Sequence, residues 1–579
     1  TTMNKAFTLL GLATLPLLAQ AQVVTPQPQA VVEYLNGNNI SNVPFLTDGY
    51  LFANPFVAQP NTRELWQVPR NSGLSTLYGS SLWIGGKDNN NILYVAGDTY
   101  RQQYTNPSLE QSYWFGPVAS NYDSAYNARY NKLWKITKTE VDAHQLNFNQ
   151  SGYTTPASIN SWPAHGNTSN GEATNLAPYF DFNNNGVYDP ANGDYPLIRG
   201  TEAIYFITNE SRHSKYPNSP AMGLEIHGMA YVFDIPSDSM LYNTLFLNYR
   251  IVNRSSRNYQ DVHVGMWTDF DIGNYNNDYV GSDVQNNAFY GYNGTDHDSL
   301  DTGNPPNPFL IFGYGAKPPA QGVVFLGGAQ MTSFMSYESN FSVRGNPETA
   351  QHFYNYLRGY WKDNSPITFG GLGKNDVTNI PYKYFFPNDS DPTGIGFYPN
   401  SLQTSPFTWH EDNLSNQGGS NNPSDRRGIG AIGPLTLAAG QEICLDIAFP
   451  FVQGNDRLHS VDLLKRRFQQ IHSFYNNTFG NSCNLQVTSL NKQLEKQPLV
   501  QVYPNPAQEM VTLSFSNDFT TDVPVTLFDV SGKKLQSELM QPRNGKQQQL
   551  HLRNLPAGLY FLHIQHKELP QTIKLVITK

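Results

Sequence analysis

Short runs of aromatic and β-branched residues, separated by turns rich in glycine, asparagine and proline, recur along most of this chain. The strongest series lies between Leu224 and Phe270, where three such runs follow one another at spacings of about 15 to 20 residues, which suits antiparallel strands. Aromatic and β-branched side chains favour strands, whereas glycine, asparagine and proline favour turns. The pattern predicts a mainly β protein with a β-sandwich-rich body.

Composition and charge narrow the class of protein. The chain has 579 residues, of which 14% are charged and 13% aromatic, and its formal net charge is -9. A chain of this length exceeds what one hydrophobic core serves, so we expect several domains. The negative charge does not attract phosphate backbones, and we expect no nucleic-acid partner.

The N-terminal segment has the order of features found in a secretory signal peptide. Lys5 precedes an apolar run, Ala6–Ala21, which is shorter than the ~20 residues needed to span a bilayer. Small residues at Ala19 and Ala21 suit a signal peptidase. We predict a signal peptide over 1–21 and a mature chain that begins at Gln22. A buried N-terminal helix is the alternative.

The remaining domain boundaries are predicted from changes in composition. Residues 22–30 are expected to form an extended leader, 31–483 a β-rich body, 484–498 a linker and 499–579 a small terminal domain. The body is compatible with one unit or with two subdomains that meet near 200–220. Between 300 and 440, many glycine, proline and asparagine residues predict long loops on the same framework.

One helix is expected in the body, between Asp456 and Asn476. Apolar residues recur there at steps of three and four, which places them on one helical face. They are Val461, Leu464, Phe468, Ile471 and Tyr475. We expect this C-terminal helix to dock on the sheet by that face.

The sequence contains two cysteines, Cys444 and Cys483. In an oxidising compartment they predict a single disulfide that ties a strand to the segment after the helix. Two unrelated buried thiols are the alternative, because a sequence does not give the Cα separation that a bridge requires.

The terminal domain contains several motifs in a set order. They are VYPNP at 502–506, FDVSGK at 528–533, LPAGLYF at 555–561 and KLVI at 574–577. About seven short strands separated by turns predict a small Ig-like β-sandwich. The motifs and their order resemble the type A C-terminal sorting domain of proteins exported by the type IX secretion system of the phylum Bacteroidota.

This resemblance implies a route and partners. The signal peptide would take the chain across the inner membrane, and the type IX secretion machinery would recognise the terminal domain at the outer membrane. The domain would then be removed and the body attached to lipopolysaccharide on the cell surface. The alternative is an Ig-like adhesive module that stays attached.

The body is also similar to a recurrent body of large secreted proteins that carry this sorting domain. The similar segments are SLWIGG at 81–86, WPAHG at 162–166, DFNNNGVYDP at 181–190 and WTDFDIG at 267–273. That family has no assigned activity. The similarity therefore implies an extracellular location and leaves the chemistry open.

Common hydrolase motifs are absent from the sequence. Glu225 and His227 alternate on a predicted strand and so face one side, which permits an acid/base pair, but a half-exposed strand needs polar residues on one face in any case. The segment 410–412 is better explained as a polar turn. Carboxylate pairs for glycoside hydrolysis come from distant positions and leave no local pattern.

A calcium loop is predicted at 181–194. Asp181, Asn183, Asn185 and Asp189 place side-chain oxygens at positions 1, 3, 5 and 9 of an EF-hand-type loop, with Gly186 at position 6. Hard oxygen donors at this spacing suit Ca²⁺.

The rest of the loop departs from the EF-hand pattern. Val187 would give its backbone carbonyl at position 7, but Asn192 replaces the bidentate glutamate at position 12. Either Asp194 reaches the ion or the affinity is low. The alternative is a set of solvated Asx turns, since asparagine, aspartate and glycine are common in turns without metal.

A second acidic group follows the strand that ends near Trp267. Its members are Asp269, Asp271, Asp278 and Asp283. Carboxylates so close in sequence repel one another unless a cation or solvent separates them. We therefore predict a second structural calcium site, with solvated turns again as the alternative.

These features predict a secreted, surface-anchored protein with an adhesive, structural or binding role and loops that calcium stabilises. Its external partner would be an extracellular glycan or protein. The alternative function is that of a secreted hydrolase acting on polysaccharide.

Overall fold

The computed structural model describes residues 28–56, 66–100, 111–212, 215–216, 218–299, 313–388, 390, 408–415, 417–480, 500–515, 522–529, 533–542, 547–552, 555–564 and 571–578. The chain divides into two compact units, one of residues 1–476 and 480–484 and the other of residues 477–479 and 485–579. The first unit is the body and the second is the C-terminal unit. The predicted signal peptide and linker lie outside the described residues.

The strands of the body are β1 (Val32–Leu35), β2 (Val43–Leu46), β3 (Leu77–Asp88), β4 (Leu93–Ala96), β5 (Trp114–Phe115), β6 (Trp134–Thr137), β7 (Tyr179–Phe180), β8 (Tyr195–Pro196), β9 (Glu202–Asn209), β10 (Leu224–Val232), β11 (Thr244–Asn253), β12 (Tyr259–Phe270), β13 (Asp278–Asp283), β14 (Ala288–Asn293), β15 (Pro319–Leu326), β16 (Met331–Tyr337), β17 (Ile367–Thr368), β18 (Pro381–Tyr382), β19 (Arg426–Leu437) and β20 (Glu442–Gln453). Its helices are α1 (Ser124–Tyr130), α2 (Lys138–Asn147), α3 (Ala157–Asn160), α4 (Ser239–Tyr242), α5 (Ala350–Leu357) and α6 (Arg457–Thr478).

A large antiparallel sheet forms the centre of the body. Its strand order is β13-β14-β15-β20-β11-β10-β9, and β5 and β6 both pair with the other edge of β9. Strands on the two sides of the predicted 200–220 boundary thus pair in one sheet, since β9 joins β10 in register from Glu225↔Asn209 to Val232↔Glu202.

A second antiparallel sheet, of order β16-β19-β12-β3-β4, packs on the large one. The two sheets share one continuous apolar core. They approach closely at Gly430 of β19, where an added Cβ would lie 2.5 Å from a ring carbon of Phe289 and 3.1 Å from one of Phe325. Real Cβ contacts are not that short, so glycine is required at this point of the sandwich.

The outer faces of both sheets are covered as well. On the large sheet, Phe474 of α6 packs 5.5 Å from Phe233, measured between ring centroids. On the second sheet, Phe353 of α5 packs 4.4 Å from Trp83. Every residue of β10 is buried. The expectation of a half-exposed strand at Glu225 and His227 is therefore wrong, because both sides of this strand face protein.

The predicted helix is confirmed as α6. Its buried residues include the five predicted apolar positions. The hydroxyl of Tyr475 donates to Asp446 of β20 at 2.6 Å. Asp446 also forms a buried ion pair with Arg199 at 2.7 Å. Helix α6 is therefore attached to the sheet by an apolar stripe and by one charged hydrogen-bond network.

The segment 300–440 is more regular than its composition predicts. Its described residues contain β15 to β19 and α5. Strand β19 has the sequence RRGIGAIGPLTL, in which glycines occupy positions that pack under aromatic rings of neighbouring strands. Glycine at such positions removes the apolar alternation by which a strand is recognised in a sequence.

The C-terminal unit has its own core. Its strands are β21 (Val500–Tyr503), β22 (Met510–Phe515), β23 (Val523–Asp529), β24 (Lys534–Met540), β25 (Gln547–His551), β26 (Gly558–Ile564) and β27 (Gln571–Ile577). They form two sheets of order β21-β22-β25 and β24-β23-β26-β27, which share one apolar cluster. The predicted small β-sandwich is confirmed.

Helix α6 offers a matched pair of leucines that tests its docking. Leu464 is buried and Leu458 is 53% exposed. We expect Leu464→Ala to lower the free energy of unfolding by about 2–5 kcal/mol, because it leaves a cavity in the interface with the sheet. Leu458→Ala should change it by less than ~0.5 kcal/mol. Denaturant unfolding followed by tryptophan fluorescence measures both, and equal effects of the two substitutions would contradict the docking.

Candidate metal centre

Three aspartates meet where the second sheet ends. Asp269 lies in β12, Asp271 follows that strand directly, and Asp425 directly precedes β19. These strands are neighbours in register, with Asp269 opposite Arg427. One carboxylate oxygen from each aspartate lies within 4.8 Å of the other two. We call Asp269, Asp271 and Asp425 the acid cluster.

Two members of the acid cluster, Asp269 and Asp271, are buried, Asp425 is partly exposed, and one arginine partly balances their charge. Asp269 is 3% exposed. Its carboxylate lies 3.4 Å from Nε of Arg427, which also bonds Asp425 through Nη2. The hydroxyl of Tyr100 donates to Asp269 at 2.8 Å. Burial raises the pKa of Asp269 to about 6; Arg427 opposes this rise and Asp425 adds to it.

A small cleft lies beside the acid cluster. It has an accessible volume of about 10 Å³, which is room for about one water molecule, and is lined by Asp48, Gly49, Tyr50, Ser81, Asp98, Tyr100, Gln111 and Tyr113. Lys215 forms an ion pair with Asp98 at 2.6 Å. Tyr100, at the wall of this cleft, connects it to Asp269.

The second predicted calcium site also included Asp278 and Asp283. Of these two aspartates, the structure brings Asp278 to the neighbourhood of the acid cluster. Asp278 starts β13 and is fully buried. Its Oδ2 accepts from the backbone N–H of Ile272 at 3.0 Å, and its backbone carbonyl accepts from Ser424 at 3.2 Å. Asp278 therefore lies between the chain segments that carry Asp271 and Asp425. Burial raises its pKa well above the usual value, and the charge of Asp271 adds to the rise.

Asp283 lies apart from this group. It ends β13, roughly 17 Å along the strand from Asp278 at about 3.3 Å per residue. Its carboxylate accepts from the backbone N–H and side-chain amide of Asn286 at 3.2 and 2.8 Å. Asp283 thus stabilises the β13–β14 turn and does not join the other predicted aspartates.

Asp425 is the residue that sequence reasoning missed. It lies far along the chain from Asp269 and follows a turn rich in asparagine and serine. Only the pairing of β12 with β19 brings it to the acid cluster. Its one sequence signal is the pair of arginines that follows it at the start of a strand.

The loop at 181–194 is exposed, and its own N–H groups donate hydrogen bonds to its aspartates. Asp181 accepts from the backbone N–H groups of Asn185 and Gly186 at 3.1 and 2.8 Å. Asp189 accepts from the side-chain amides of Asn185 and Asn192 at 3.2 and 2.7 Å. Gly186 has a φ of +75°, which permits the sharp turn expected at position 6.

The other predicted ligands of this loop are Asp194, Asn183 and Val187. Asp194 is fully buried and accepts from the N–H groups of Phe182 and Asp189 at 2.8 and 2.9 Å. Burial raises its pKa. Asn183 bonds Asn185 N–H at 3.1 Å, and Val187 is 56% exposed. The side-chain oxygens of the loop therefore accept hydrogen bonds from the loop itself, and Asp194 does so from a buried position.

A buried network surrounds Glu225 and His227. The carboxylate of Glu225 accepts from Nε2 of His227 at 2.9 Å and from Nη2 of Arg254 at 2.6 Å. The Tyr205 hydroxyl lies 2.7 Å from Nδ1 of His227. Burial opposes ionisation of Glu225, but His227 and Arg254 outweigh it and lower its pKa to about 2. Glu225 and His227 are both buried, and their hydrogen bonds connect β9 and β10 to Arg254.

The segment 410–412 also has a structural role. Glu411 is fully buried and accepts from Arg426 at 2.9 Å and from the N–H of Val280 at 2.7 Å. Asp412 bonds Arg457 of α6 at 2.9 Å. These side chains point to different partners and form no acid/base group.

The predicted disulfide lies partly outside the described residues. Cys444 is in β20 opposite Arg250, and burial raises the pKa of its thiol to about 12. Cys483 is not among the described residues. The Cys444–Cys483 bridge stays a prediction.

Comparison with known proteins gives one informative match. Residues 501–578 match the family model described as the secretion system C-terminal sorting domain. No curated protein matches the chain significantly. A solved polysaccharide lyase is similar at 10% identity over 61% of this chain and 34% of that chain, with a TM-score of 0.17. This chain spans about a third of the length of that structure, and a likeness this weak carries no argument.

The C-terminal match defines a class of protein. A small β-sandwich that matches the sorting-domain model marks a secreted protein whose C-terminal unit directs its export. The chain is a cargo of the type IX secretion system, and its sorting domain interacts with that machinery. Among the residues that the structure describes, none of the helices combines the length and apolarity needed to cross a bilayer.

The Glu225 network predicts a defined response to acid. Because the pKa of Glu225 is lowered to about 2 in the folded state, its contribution to stability is complete above the ordinary glutamate pKa and is lost as pH falls toward 2. We expect Glu225→Gln to lower the free energy of unfolding at pH 7 by on the order of 3 kcal/mol. The deficit should shrink as pH falls.

The matched control is Glu442→Gln, since Glu442 also pairs with an arginine, Arg250, but is 41% exposed in its side chain. It should change stability by less than ~1 kcal/mol. Urea unfolding at several pH values measures both variants. A constant deficit of Glu225→Gln across the acid range would contradict the assigned ionisation.

Proposed function

We propose that the body is a non-catalytic surface protein, adhesive or structural, that the type IX system displays on the outer membrane and that calcium stabilises. The observation that carries this proposal is the acid cluster: three aspartates with oxygens within 4.8 Å, two of them less than 10% exposed. Buried like charges at this spacing are unstable without a cation. An external glycan or protein is the proposed partner of the body.

Processing at both ends is part of the proposal. It is supported by the signal-peptide pattern over 1–21 and by the sorting-domain match at 501–578. Intact-mass measurement on protein released from the cell surface should give a start near Gln22 and an end within or before the 484–498 linker, with the mass of a lipopolysaccharide attachment. A surface form that retains 501–578 would contradict removal of the domain.

Calcium at the 181–194 loop is supported by the spacing of Asp181, Asn183, Asn185 and Asp189 along the chain and by the turn at Gly186, with Asp194 bonded to the N–H of Asp189. The millimolar calcium of extracellular fluids would occupy even a weak site and raise stability by mass action.

We expect the double substitution Asp181→Ala and Asp189→Ala to reduce the difference in Tm between calcium and chelator. The control is Asp142→Ala with Asp234→Ala, two aspartates outside both proposed sites. Identical melting of the unmutated protein with calcium and with chelator would contradict any structural role of calcium.

Hydrolysis of polysaccharide is the second candidate function. It is favoured by the spacing of the acid cluster beside the cleft that Tyr50 and Tyr100 line, because the two carboxyl groups of retaining glycosidases lie ~5–5.5 Å apart. Burial of Asp269 and its bonds to Arg427 and Tyr100 favour the non-catalytic proposal instead.

A glycan-binding assay with product analysis separates the two functions. Binding without release of new reducing ends supports a non-catalytic role. Release of oligosaccharides that Asp269→Asn abolishes, while that variant keeps its fold by circular dichroism, would establish the hydrolase.

A further inference from the structure

Three cations lie against two tyrosine rings where α5 covers the second sheet. The guanidinium carbon of Arg358, directly after α5, is 4.4 Å from the ring centroid of Tyr354 and 5.0 Å from that of Tyr360. Nζ of Lys383, directly after β18, is 4.0 Å from the Tyr360 centroid. Nζ of Lys87, in β3, is 5.7 Å from the Tyr354 centroid. We call Arg358, Lys383 and Lys87 the cation cluster.

No carboxylate neutralises this cluster at short range. Among the residues that the structure describes, none of its three members forms an ion pair. Two lysines that lie between Arg358 and Lys383 in the chain do so, since Lys362 pairs with Glu348 and Lys374 with Asp363. Adjacent positive charges without a partner repel one another and attract an anion.

The hydrogen bonds of the cation cluster go to neutral acceptors. Nη2 of Arg358 donates to the side-chain oxygens of Asn355 and Asn364 at 3.0 and 3.5 Å. Nζ of Lys383 donates to the backbone carbonyl of Arg358 at 2.5 Å. Nε of Arg358 has no hydrogen-bond partner among the described residues. These contacts hold the side chains in place and leave their charge unbalanced.

A bulge in β12 lies beside the cation cluster. At Asp261 the register with β3 and β19 shifts, and φ is +52°. A residue other than glycine in this left-handed region is strained, and such residues are common at binding sites. The carboxylate of Asp261 accepts from the Tyr354 hydroxyl at 2.6 Å and is 39% exposed. Asp261 therefore fixes the ring on which Arg358 and Lys87 lie.

The charges of this region act on one another. Burial lowers the pKa of Lys383 to about 8; the charge of Arg358 lowers it as well, and Asp261 opposes both. Burial also lowers the pKa of His263, with smaller contributions in the same direction from Arg358 and Lys383. At neutral pH, His263 is therefore uncharged. Three cations and the single carboxylate of Asp261 give this surface a net positive charge.

We infer that the cation cluster binds the acidic groups of an extracellular polysaccharide, which are the carboxylate of a uronic acid or the sulfate of a sulfated sugar. Both groups are singly charged oxyanions, which guanidinium and ammonium groups bind through charge-assisted hydrogen bonds. The inference rests on the proposed binding role of the body and names the chemistry of its glycan partner.

The arrangement of the side chains favours an acidic polysaccharide over an acidic peptide. The cations are half-buried, as is Tyr360, so the surface offers both charge and part of an aromatic ring. A sugar ring also places hydroxyl donors next to its acidic group, and the exposed carboxylate of Asp261 can accept from them. The acidic side chain of a peptide brings no such donor.

Calorimetric titration of the full-length protein tests the inference with three probes. They are an oligogalacturonate, which carries carboxylates, a sulfated dextran oligomer, and an unmodified dextran oligomer of similar length. We expect at least one acidic probe to bind, the neutral probe not to bind, and affinity to fall as salt is added. Failure of both acidic probes to bind, or equal binding of the neutral probe, would overturn the inference.

Substitutions locate the binding site. We expect Arg358→Gln and Lys383→Gln each to raise the Kd for the acidic probe at least about tenfold, because each removes a hydrogen bond to a charged group. The matched control is Lys132→Gln, which removes an exposed lysine between α1 and β6 and should leave the Kd unchanged. Equal effects of the control and the cluster variants would show unspecific attraction and overturn the site.

Lys383→Arg provides a test that keeps the charge of the cluster. Because the pKa of Lys383 is about 8, its charge is lost as pH rises past that value, and the affinity of the unmutated protein should fall between about pH 7 and 9. Arginine stays charged over this range, so Lys383→Arg should bind equally well at both ends of it. The same fall in affinity in Lys383→Arg would contradict the role of Lys383.

The outcomes separate this inference from the proposed function. Binding of an acidic probe followed by release of shorter products would support the site and contradict a non-catalytic body. Binding of a neutral glycan or a protein that Arg358→Gln leaves intact would overturn the site, and the proposed function would stand. Binding of polyglutamate as tightly as the acidic sugars would show recognition of charge alone and overturn the assignment to a polysaccharide.

Discussion

Much of both sheets of the body is covered on both faces, so the buried polar side chains on their strands have no water to bind. Each such group must find a partner within the protein or with an ion. Arg199 with Asp446 and Glu225 with His227 and Arg254 satisfy this condition by pairing opposite charges. These pairs also connect the sheets to α6 and to the segments that cover the large sheet.

The end of the sandwich near Asp269 is different. There Arg427 is shared between two carboxylates, Asp269 and Asp425, and among the described residues Oδ1 of Asp278 has no hydrogen-bond partner. The same burial that stabilises the core makes this excess of negative charge unfavourable. This crowding of carboxylates is the observation behind the proposed structural cation.

Local sequence patterns predicted much of this architecture. The periodicity of Leu464, Phe468 and Ile471 predicted α6, and the ordered motifs after Val502 predicted the sorting domain. Local patterns failed where burial depends on distant partners. The alternation at Glu225 and His227 suggested a half-exposed strand because a sequence does not show what covers its second face. Asp425 joins Asp269 only through the pairing of β12 with β19.

The account depends on calcium being part of the folded body. Isothermal titration of the chelator-treated full-length protein with calcium tests this most directly. We predict binding of one ion at the 181–194 loop and one at the acid cluster, with the second lost in Asp269→Asn. Absence of calcium binding to the folded protein would contradict the account.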